Sequence, residues 1–331
     1  MRRSVVVLLL LPLLGLAPGP SAAAPAEDGL AVTGYALPSL PNHAVGRNAG
    51  GLDTLTVVGA SLTPDGRTVR RLPRDTERLG ATAHRHGLRA ELLLSNYSNR
   101  LGEFDTRAGG RLLRDEANVR RVARRLAAYV DAGGWDGVNL DLEALRRADG
   151  PGLVLLASEL QRLMPAQRTV SIDISARGTV AAYRAAGYRL AELAAAVDVV
   201  QLMAYDQHGP TWSGPGPIGS LDWQRRSLAT LLGVVPPAQV DLGVAGYGYT
   251  WPRQRAGRSV TVAQARNLVR RDGARARWDA AAGEWRAHLS NGTRLRWSDG
   301  RSLELRRALA TEQGLHGLAI WRIGSADVLA P

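Results

Sequence analysis

The 331-residue chain contains neither cysteine nor lysine. Without cysteine it can build no disulfide framework, and it has no N-terminal cysteine that could carry a lipid anchor. Without lysine, all 42 basic residues are arginine, which is typical of a GC-rich genome. Codon bias explains the choice of arginine over lysine, but it does not explain why bases outnumber acids.

The formal net charge is +12, and removing two arginines with an N-terminal signal leaves 12 − 2 = +10. A basic exported protein is held near anionic polymers such as cell-wall glycans and teichoic acids. Nucleic acid is not the predicted partner, because the arginines are scattered through amphipathic segments without an aromatic-interleaved basic patch.

Long apolar runs are missing as well, apart from one near the N terminus. Two arginines precede the apolar run of residues 4–17, and residues 21–24 offer small-residue cleavage sites. Because the run is short for a bilayer span, we predict a signal peptide over residues 1–23, cleaved after Ala23, instead of an uncleaved anchor. The simplest interpretation is a secreted or cell-wall-associated monomer without stable membrane insertion.

Eight segments are predicted to be strands, and helices separate most of them. The strands are expected at residues 31–35, 52–60, 88–94, 135–143, 169–174, 199–205, 240–245 and 317–323. The helices are expected at residues 75–86, 115–131, 152–163, 178–196, 221–232 and 303–313. This count and length favour a closed (β/α)8 TIM barrel, an α/β fold, over an open doubly wound sheet. No glycine-rich phosphate fingerprint follows the first strand, which weakens the dinucleotide-binding alternative.

Two further segments depart from a simple barrel. Residues 98–114 are interpreted as a polar loop, and the segment 253–297 is too long for a barrel loop. The longer segment contains a predicted helix and a hairpin around an Asn-Gly turn, which is a strong tight-turn signal. We therefore predict a small α+β insertion at 253–297, with the barrel domain formed by residues 24–252 and 298–331.

The fourth strand carries an unusual row of polar side chains. Asn139, Asp141 and Glu143 alternate with leucine and so point to one face. Helices on both sides predict a covered sheet, in which such a row is costly unless it is hydrogen-bonded or used. Glu143 ends the strand, where barrels place catalytic groups. Asp141 beneath it would raise the pKa of one carboxyl, which suits a general acid.

Other strand ends add candidate groups around these acids. Met203 and Tyr205 share a face of the sixth strand with Gln201, and Trp321 ends the eighth. Together they predict a pocket with an acid, a hydroxyl and an aromatic floor, which can grip a sugar ring. The six histidines show no metal spacing, so we predict neither a metal nor another cofactor.

Three further positions stay open at this point. Tyr35 and Asn96 lie at strand ends, where contact with a sugar and a purely structural role are both compatible with the sequence. Asp173 faces the same way as its neighbours Ser171 and Ser175 on the fifth strand. It either pairs with Arg177 or adds an acid to the barrel interior.

Four segments in order resemble the family 18 glycoside hydrolases. They are the strand-four signature Asp136 to Glu143, the strand-six motif Leu202 to Asp206, the strand-seven segment Gly243 to Trp251, and Gly317 to Gly324 on strand eight. The similarity covers roughly residues 30–327 and extends to the inserted domain. It is nearest to the branch of spore-germination and cortex-lytic hydrolases, in which asparagine often takes the position of Asn139 and a Pro-Gly-Pro stretch often follows the Tyr-Asp pair.

The resemblance implies a substrate-assisted retaining mechanism. In it Glu143 is the general acid and then the base, Asp141 orients the substrate acetamide, and Tyr205 hydrogen-bonds the acetamide oxygen. The other residues that the resemblance and the strand ends assign to substrate binding are Asn139, Asp206, Trp321, Met203, Tyr35, Asn96 and Tyr247. Asn139 replaces an acid of chitinases: it can hydrogen-bond Asp141 but cannot share a proton with it.

These inferences predict an exported hydrolase that cuts β-1,4 bonds beside N-acetylglucosamine, most naturally in bacterial peptidoglycan. Two alternatives remain. One is a chitinase or another hydrolase of N-acetylglucosamine glycans. The other is a non-catalytic carbohydrate-binding protein of the same fold, which the presence of Glu143 disfavours.

Overall fold

The predicted barrel is present as a closed ring of parallel strands in the computed structural model, which describes residues 29–329. The signal peptide predicted over residues 1–23 lies outside the described residues. The strands are β1 (Ala31–Ala36), β2 (Thr54–Ser61), β3 (Arg89–Ser95), β4 (Tyr97–Ser98), β5 (Glu103–Phe104), β6 (Gly137–Asp141), β7 (Thr169–Ser175), β8 (Val199–Met203), β9 (Val240–Ala245), β10 (Gly248–Trp251), β11 (Arg258–Val260), β12 (Arg277–Asp279), β13 (Glu284–His288), β14 (Arg294–Trp297) and β15 (Gly317–Trp321).

Most of the helices cover the outside of the ring, and one packs against a small inserted sheet. The helices are α1 (Asn42–Asn48), α2 (Arg74–Arg85), α3 (Thr106–Leu113), α4 (Glu116–Ala132), α5 (Gly150–Leu163), α6 (Val180–Ala185), α7 (Leu190–Ala194), α8 (Leu221–Leu232), α9 (Val262–Asp272) and α10 (Gly300–Glu312). Among the described residues, no helix has the length and apolar character needed to cross a membrane.

The ring runs in the order β1-β15-β9-β8-β7-β6-β3-β2, and β1 closes it by pairing with both β15 and β2. All eight pairings are parallel. This arrangement confirms the TIM barrel predicted from the sequence. It also brings the carboxyl ends of all eight strands to one mouth, where the side chains at the strand ends can meet.

The alternation along β6 explains how the barrel is covered. Val138 and Leu140 are fully buried on the face opposite the polar row, and they belong to the same apolar core as Val122 and Leu126 of α4. Asp115 begins α4 by accepting hydrogen bonds from two backbone N–H groups of its first turn. The apolar side chains therefore fill the layer between ring and helices, and the polar row is left inside the ring.

The prediction of one continuous helix at residues 178–196 is wrong. The segment forms two short helices, α6 and α7, separated by Gly187 with a φ of 85°. A Cβ at Gly187 would lie 2.9 Å from the carbonyl oxygen of Arg146. The close approach and the positive φ both require glycine, and that conformation ends the first helix.

The predicted polar loop at residues 98–114 is also wrong. It contains the short hairpin of β4 and β5, followed by helix α3. Asp105 caps α3, because its side chain accepts hydrogen bonds from Arg107 N and Ala108 N. The cap signal is present in the sequence, but the glycines in the first turns concealed the helix.

The inserted segment forms its own small sheet in the order β11-β10-β14-β13-β12, with α9 packed against it. The sheet takes in residues 248–251, which the sequence analysis placed in the barrel domain. These residues form β10, whose Gly248 pairs with Trp297 of β14. The chain therefore passes from the end of β9 into the small sheet within three residues.

A buried arginine joins the small sheet to the barrel. Arg306 of α10 is 1% exposed and donates hydrogen bonds to the carbonyl oxygens of Gly283 (2.5 Å) and Gly219 (2.6 Å). Its guanidinium lies 3.8 Å from Glu284, which begins β13. Glu284 in turn accepts hydrogen bonds from the backbone N–H groups of Gly219 and Ile218. One ion pair therefore holds together α10, the small sheet and the segment after β8.

We expect Arg306→Met to lower the free energy of unfolding by about 3–5 kcal/mol, because it leaves the buried carboxylate of Glu284 without its cation. The measurement is chemical denaturation followed by circular dichroism. The matched control is Arg225→Met, which breaks an exposed ion pair to Glu312 and should cost no more than about 1 kcal/mol. A loss below about 1 kcal/mol for Arg306→Met would contradict the assigned role.

Candidate active site

The polar row of β6 points into the barrel, as the alternation predicts. Asn139 is completely buried, and its amide nitrogen donates to Ser171 Oγ (3.0 Å) and to Asp173 Oδ1 (2.9 Å). Asp141 and Glu143 follow towards the mouth and are partly open. The carboxamide of Asn139 therefore bonds across to β7, and no hydrogen bond joins it to Asp141 within residues 29–329.

Glu143 lies at the mouth of the barrel and is held from β7. Ser175 Oγ donates to Glu143 Oε2 at 3.0 Å. Burial raises the pKa of Glu143 and the negative charge of Asp206 raises it further, while the Ser175 hydrogen bond and the charge of Arg177 lower it. Because the net direction is upward, the site favours a protonated carboxyl at higher pH than free glutamate does.

Asn96 fixes the backbone of Glu143. Its amide nitrogen donates to the Glu143 carbonyl oxygen at 2.9 Å, and its Oδ1 accepts from the Glu143 N–H at 3.0 Å. Asn96 is 2% exposed. A sugar contact and a structural role were both compatible with the sequence at this residue, and the structure places its carboxamide on the protein's own backbone. Asn96 thus sets the position of the acid.

Asp141 lies between Asn139 and Glu143 with one acceptor unused. Burial raises its pKa well above the ordinary value, and the charges of Glu143 and Asp173 raise it further, against a hydrogen bond from Ser95. Its Oδ1 is buried and has no hydrogen-bond partner among the described residues. A buried acceptor of this kind is costly unless a donor reaches it.

Tyr205 and Asp206 follow β8 and lie beside the acids. Among residues 29–329, no hydrogen bond occupies the Tyr205 hydroxyl. Burial and the charges of Asp173 and Asp206 raise its pKa well above the ordinary value, so the hydroxyl keeps its proton and can donate. Asp206 Oδ1 accepts from the hydroxyls of Tyr247 and Tyr249, the latter at 2.7 Å. Tyr247 therefore holds Asp206 in place, and Tyr249 is a supporting residue that the sequence analysis missed.

Three other predicted residues complete the mouth. Trp321 ends β15, is half-buried, and lies 5.5 Å from the Tyr35 ring, centroid to centroid. Tyr35 is buried, and its hydroxyl contacts Asp173 (2.5 Å) and Gln201. Met203 ends β8 in register with Ser175. The structure thus brings the predicted residues to one mouth, with Tyr35 and Asn96 as buried supports.

The barrel interior also contains acids that the sequence analysis did not use. Glu91 of β3 is 4% exposed and accepts hydrogen bonds from Ser171 Oγ (2.9 Å) and Thr56 Oγ1 (3.3 Å). Asp241 of β9 is paired with His316 at 2.7 Å. Both acids line a cavity of about 600 Å³ at the opposite, N-terminal end of the barrel. The period-two pattern of β3, in which Glu91 and Ser95 share a face, could have identified Glu91.

No three His, Cys, Asp or Glu side chains within residues 29–329 are arranged to hold a metal ion. The mouth offers instead the carboxyls of Asp141, Glu143 and Asp206, a tyrosine hydroxyl and an indole face. This set can donate and accept protons and can stack on a pyranose ring. It therefore suits acid–base chemistry on a carbohydrate.

Comparison with known proteins agrees with this chemistry. The family model described as Glycosyl hydrolases family 18 matches residues 104–326, well over half of the chain. The Uncharacterized glycosylase YvbX of Bacillus subtilis is 25% identical over 162 residues, which cover 48% of this chain and 47% of that protein. The match thus spans about half the length of this relative.

Solved structures share the fold. The spore cortex-lytic enzyme SleL of Bacillus cereus aligns with a TM-score of 0.79 and 21% identity, over 89% of this chain and 71% of that chain. A chitinase from Chromobacterium violaceum aligns with a TM-score of 0.80 and 24% identity, over 90% and 95% of the two chains. At these identities the similarity shows the barrel fold alone.

The interior acids generate a prediction about stability. Burial raises the pKa of Glu91 from 4.5 to about 7. As pH rises from about 4.5 to 7, the unfolded chain releases the Glu91 proton before the folded chain does, so folding loses stability across this window. At ~1.4 kcal/mol per pKa unit, the loss reaches about 3 kcal/mol.

We therefore expect Glu91→Gln to gain up to about 3 kcal/mol relative to the wild type between pH 4 and pH 8, because glutamine has no proton to release. Urea unfolding at a series of pH values measures this difference. The exposed variant Glu77→Gln serves as control and should keep the wild-type slope. A constant offset between Glu91→Gln and wild type would show that Glu91 does not titrate in this window.

Proposed function

The chain belongs to family 18 of the glycosyl hydrolases and is thus a glycoside hydrolase, and from this premise we propose its substrate and mechanism. We propose that it is exported and cleaves β-1,4 bonds next to N-acetylglucosamine in bacterial peptidoglycan. The reaction is substrate-assisted and retains the anomeric configuration. The observation that carries this proposal is the unused buried oxygen of Asp141 directly below Glu143.

An N-acetyl group matches that oxygen. The acetamide N–H of N-acetylglucosamine is a donor, and Asp141 Oδ1 is an acceptor without a partner among the described residues. The hydrogen bond would turn the acetamide oxygen towards the anomeric carbon. The Tyr205 hydroxyl, which keeps its proton, donates to that acetamide oxygen as it attacks. Asp141 and Tyr205 thus hold the two ends of the nucleophile.

Glu143 supplies the proton. Its raised pKa lets it keep its proton to higher pH than a free glutamate does, and it donates to the glycosidic oxygen as the bond to the anomeric carbon breaks. The acetamide oxygen forms the new bond, which gives an oxazolinium intermediate. Glu143, now ionised, then removes a proton from water, which opens the intermediate. The half-buried Trp321 provides the apolar face beneath the sugar.

Peptidoglycan is favoured over chitin by charge and by relatives. The mature protein would carry +10, which favours adsorption to anionic wall polymers. SleL, which shares the fold, is described as a spore cortex-lytic enzyme. Chitin stays the second candidate because a chitinase shares the fold over 95% of its chain. Both substrates contain the N-acetylglucosamine unit that Asp141 and Tyr205 would hold.

Export has its own test. We expect the mature protein to begin at Ala24, because cleavage after Ala23 avoids proline as the first residue. Intact-mass analysis of protein from the culture medium and from washed walls measures the mature N terminus. A cell-retained protein that still begins at Met1 would contradict export.

Glu143→Gln tests the mechanism, because glutamine keeps the shape of the side chain but cannot supply a proton. We expect the rate of reducing-end release to fall about 10²–10⁴-fold. The free energy of unfolding should stay within about 1 kcal/mol of the wild-type value. The control is Glu304→Gln, on the exposed face of α10, which should keep full activity. Mass spectrometry of products from peptidoglycan fragments and chitin oligomers identifies the substrate.

Each outcome decides between the candidates. Faster release from peptidoglycan fragments supports the proposal, and faster release from chitin oligomers selects the chitinase alternative. Tight glycan binding without reducing-end release, in the wild type, would identify a binding protein. Unchanged turnover in Glu143→Gln would exclude Glu143 as the acid.

A further inference from the structure

Asp173 is a buried carboxyl that the mechanism above does not use. It lies on β7, facing inward, and is 3% exposed. Its Oδ1 contacts the Tyr35 hydroxyl at 2.5 Å and accepts from Asn139 Nδ2 at 2.9 Å. No ion pair within residues 29–329 involves Asp173, so the pairing with Arg177 considered above is absent there. The residue therefore adds an acid to the barrel interior.

The other buried acids of the interior have a basic partner or line a cavity, and Asp173 has neither among the described residues. Asp241 has His316 as a partner at 2.7 Å, and both Asp241 and Glu91 line the cavity at the N-terminal end of the barrel. Asp173 is not part of that cavity wall. Burial raises its pKa to about 7, against the hydrogen bonds from Tyr35 and Asn139.

Asp173 and Asp141 are neighbours on adjacent strands, one step beyond the paired residues Leu140 of β6 and Ile172 of β7. The charge of Asp173 raises the pKa of Asp141, and the charges of Glu143 and Glu91 raise the pKa of Asp173. The titratable and polar groups that face it are Tyr35 from β1, Glu91 from β3, Asn139, Asp141 and Glu143 from β6 and its end, Gln201 from β8 and Tyr205 after β8. None of them is a cation. The charge of Arg177 lowers the pKa of Glu143 instead. Two carboxylates in such surroundings cannot both ionise at low cost.

The hydrogen bonds around Tyr35 accommodate a proton on Asp173. The single proton of the Tyr35 hydroxyl faces two acceptors, Asp173 Oδ1 and Gln201 Oε1. When Asp173 is ionised, Tyr35 donates to it. When Asp173 is protonated, it donates to the Tyr35 oxygen, and Tyr35 donates to Gln201. Both charge states of Asp173 therefore keep their hydrogen bonds without moving a side chain.

We propose that Asp173 is a positioning residue that shares one negative charge with Asp141, so that the interior below Glu143 carries a single charge while the enzyme works. This inference rests on the proposed function, because Asp141 and Glu143 are its reacting groups. At 3% exposure, Asp173 presents almost no surface to a substrate. It acts through Asp141, because the one proton that the two carboxyls share keeps Asp141 and Asp173 from being ionised at the same time.

The test is Asp173→Asn, which keeps the size and the Oδ1 acceptor but cannot carry charge. We expect the alkaline limb of the kcat/KM profile on glycan to move to lower pH by about one unit, because a negative neighbour no longer raises the pKa of Asp141, the carboxyl that interacts with Glu143. A residue with only a structural role would lower kcat/KM equally at every pH. The exposed control Asp222→Asn should leave the limb in place, and an unmoved limb in Asp173→Asn overturns the inference.

A second measurement detects the interaction between Asp141 and Asp173 without glycan cleavage. NMR titration of ¹³C-labelled aspartate carboxyls should show the Asp141 midpoint at lower pH in Asp173→Asn than in wild type. If that variant does not fold, the smaller neutral Asp173→Ser should give the same shift. A protein that cleaves glycan but shows neither shift refutes this inference alone. A protein that cleaves no glycan but shows the NMR shift refutes the proposed function alone.

Discussion

The free-energy cost of burying carboxyl groups governs this structure. The barrel interior holds Glu91, Asp141, Asp173 and Asp241, and among the described residues only Asp241 has a basic partner there, His316. In a medium of low polarity each charge is expensive unless it is hydrogen-bonded, paired or neutralised. Hydrogen bonding, ion pairing and neutralisation each occur at a different depth of the barrel interior. The upper layer, at Asp141, has the fewest hydrogen bonds, and it is the layer that a substrate would complete.

Strained backbone conformations occur directly beside the reacting residues of this layer. Only two described non-glycine residues have positive φ: Ala144 at 54° and Asp206 at 60°. Ala144 directly follows Glu143, and Asp206 directly follows Tyr205. Non-glycine residues in this region cost about 1–3 kcal/mol each and persist when the surroundings hold them. Asn96 holds the first turn through the Glu143 backbone, and the tyrosine hydroxyls hold the second.

The sequence predicted the barrel and its polar row because both depend on local periodicity. Alternation along one strand was enough to turn Asn139, Asp141 and Glu143 inward. It could not show that Asn96 would grip Glu143, since that contact joins residues 47 apart and depends on how β3 pairs with β6. The break at Gly187 was missed for a related reason, because the approach of Arg146 that demands glycine is a tertiary contact.

The neutral residue at the bottom of the row, Asn139, explains how the other polar groups of the interior are hydrogen-bonded. Asn139 offers donors and no charge, and the two N–H groups of its amide have three acceptors within reach, on Asp173, Ser171 and Gln201. An aspartate at 139 would present acceptors to these three acceptors and add a third buried carboxyl beside Asp141 and Asp173. With asparagine there, the acid of β7 becomes tolerable. The departure at Asn139 and the acid at Asp173 are therefore two parts of one hydrogen-bonded arrangement, in which β7 supplies the carboxyl and β6 supplies its donor.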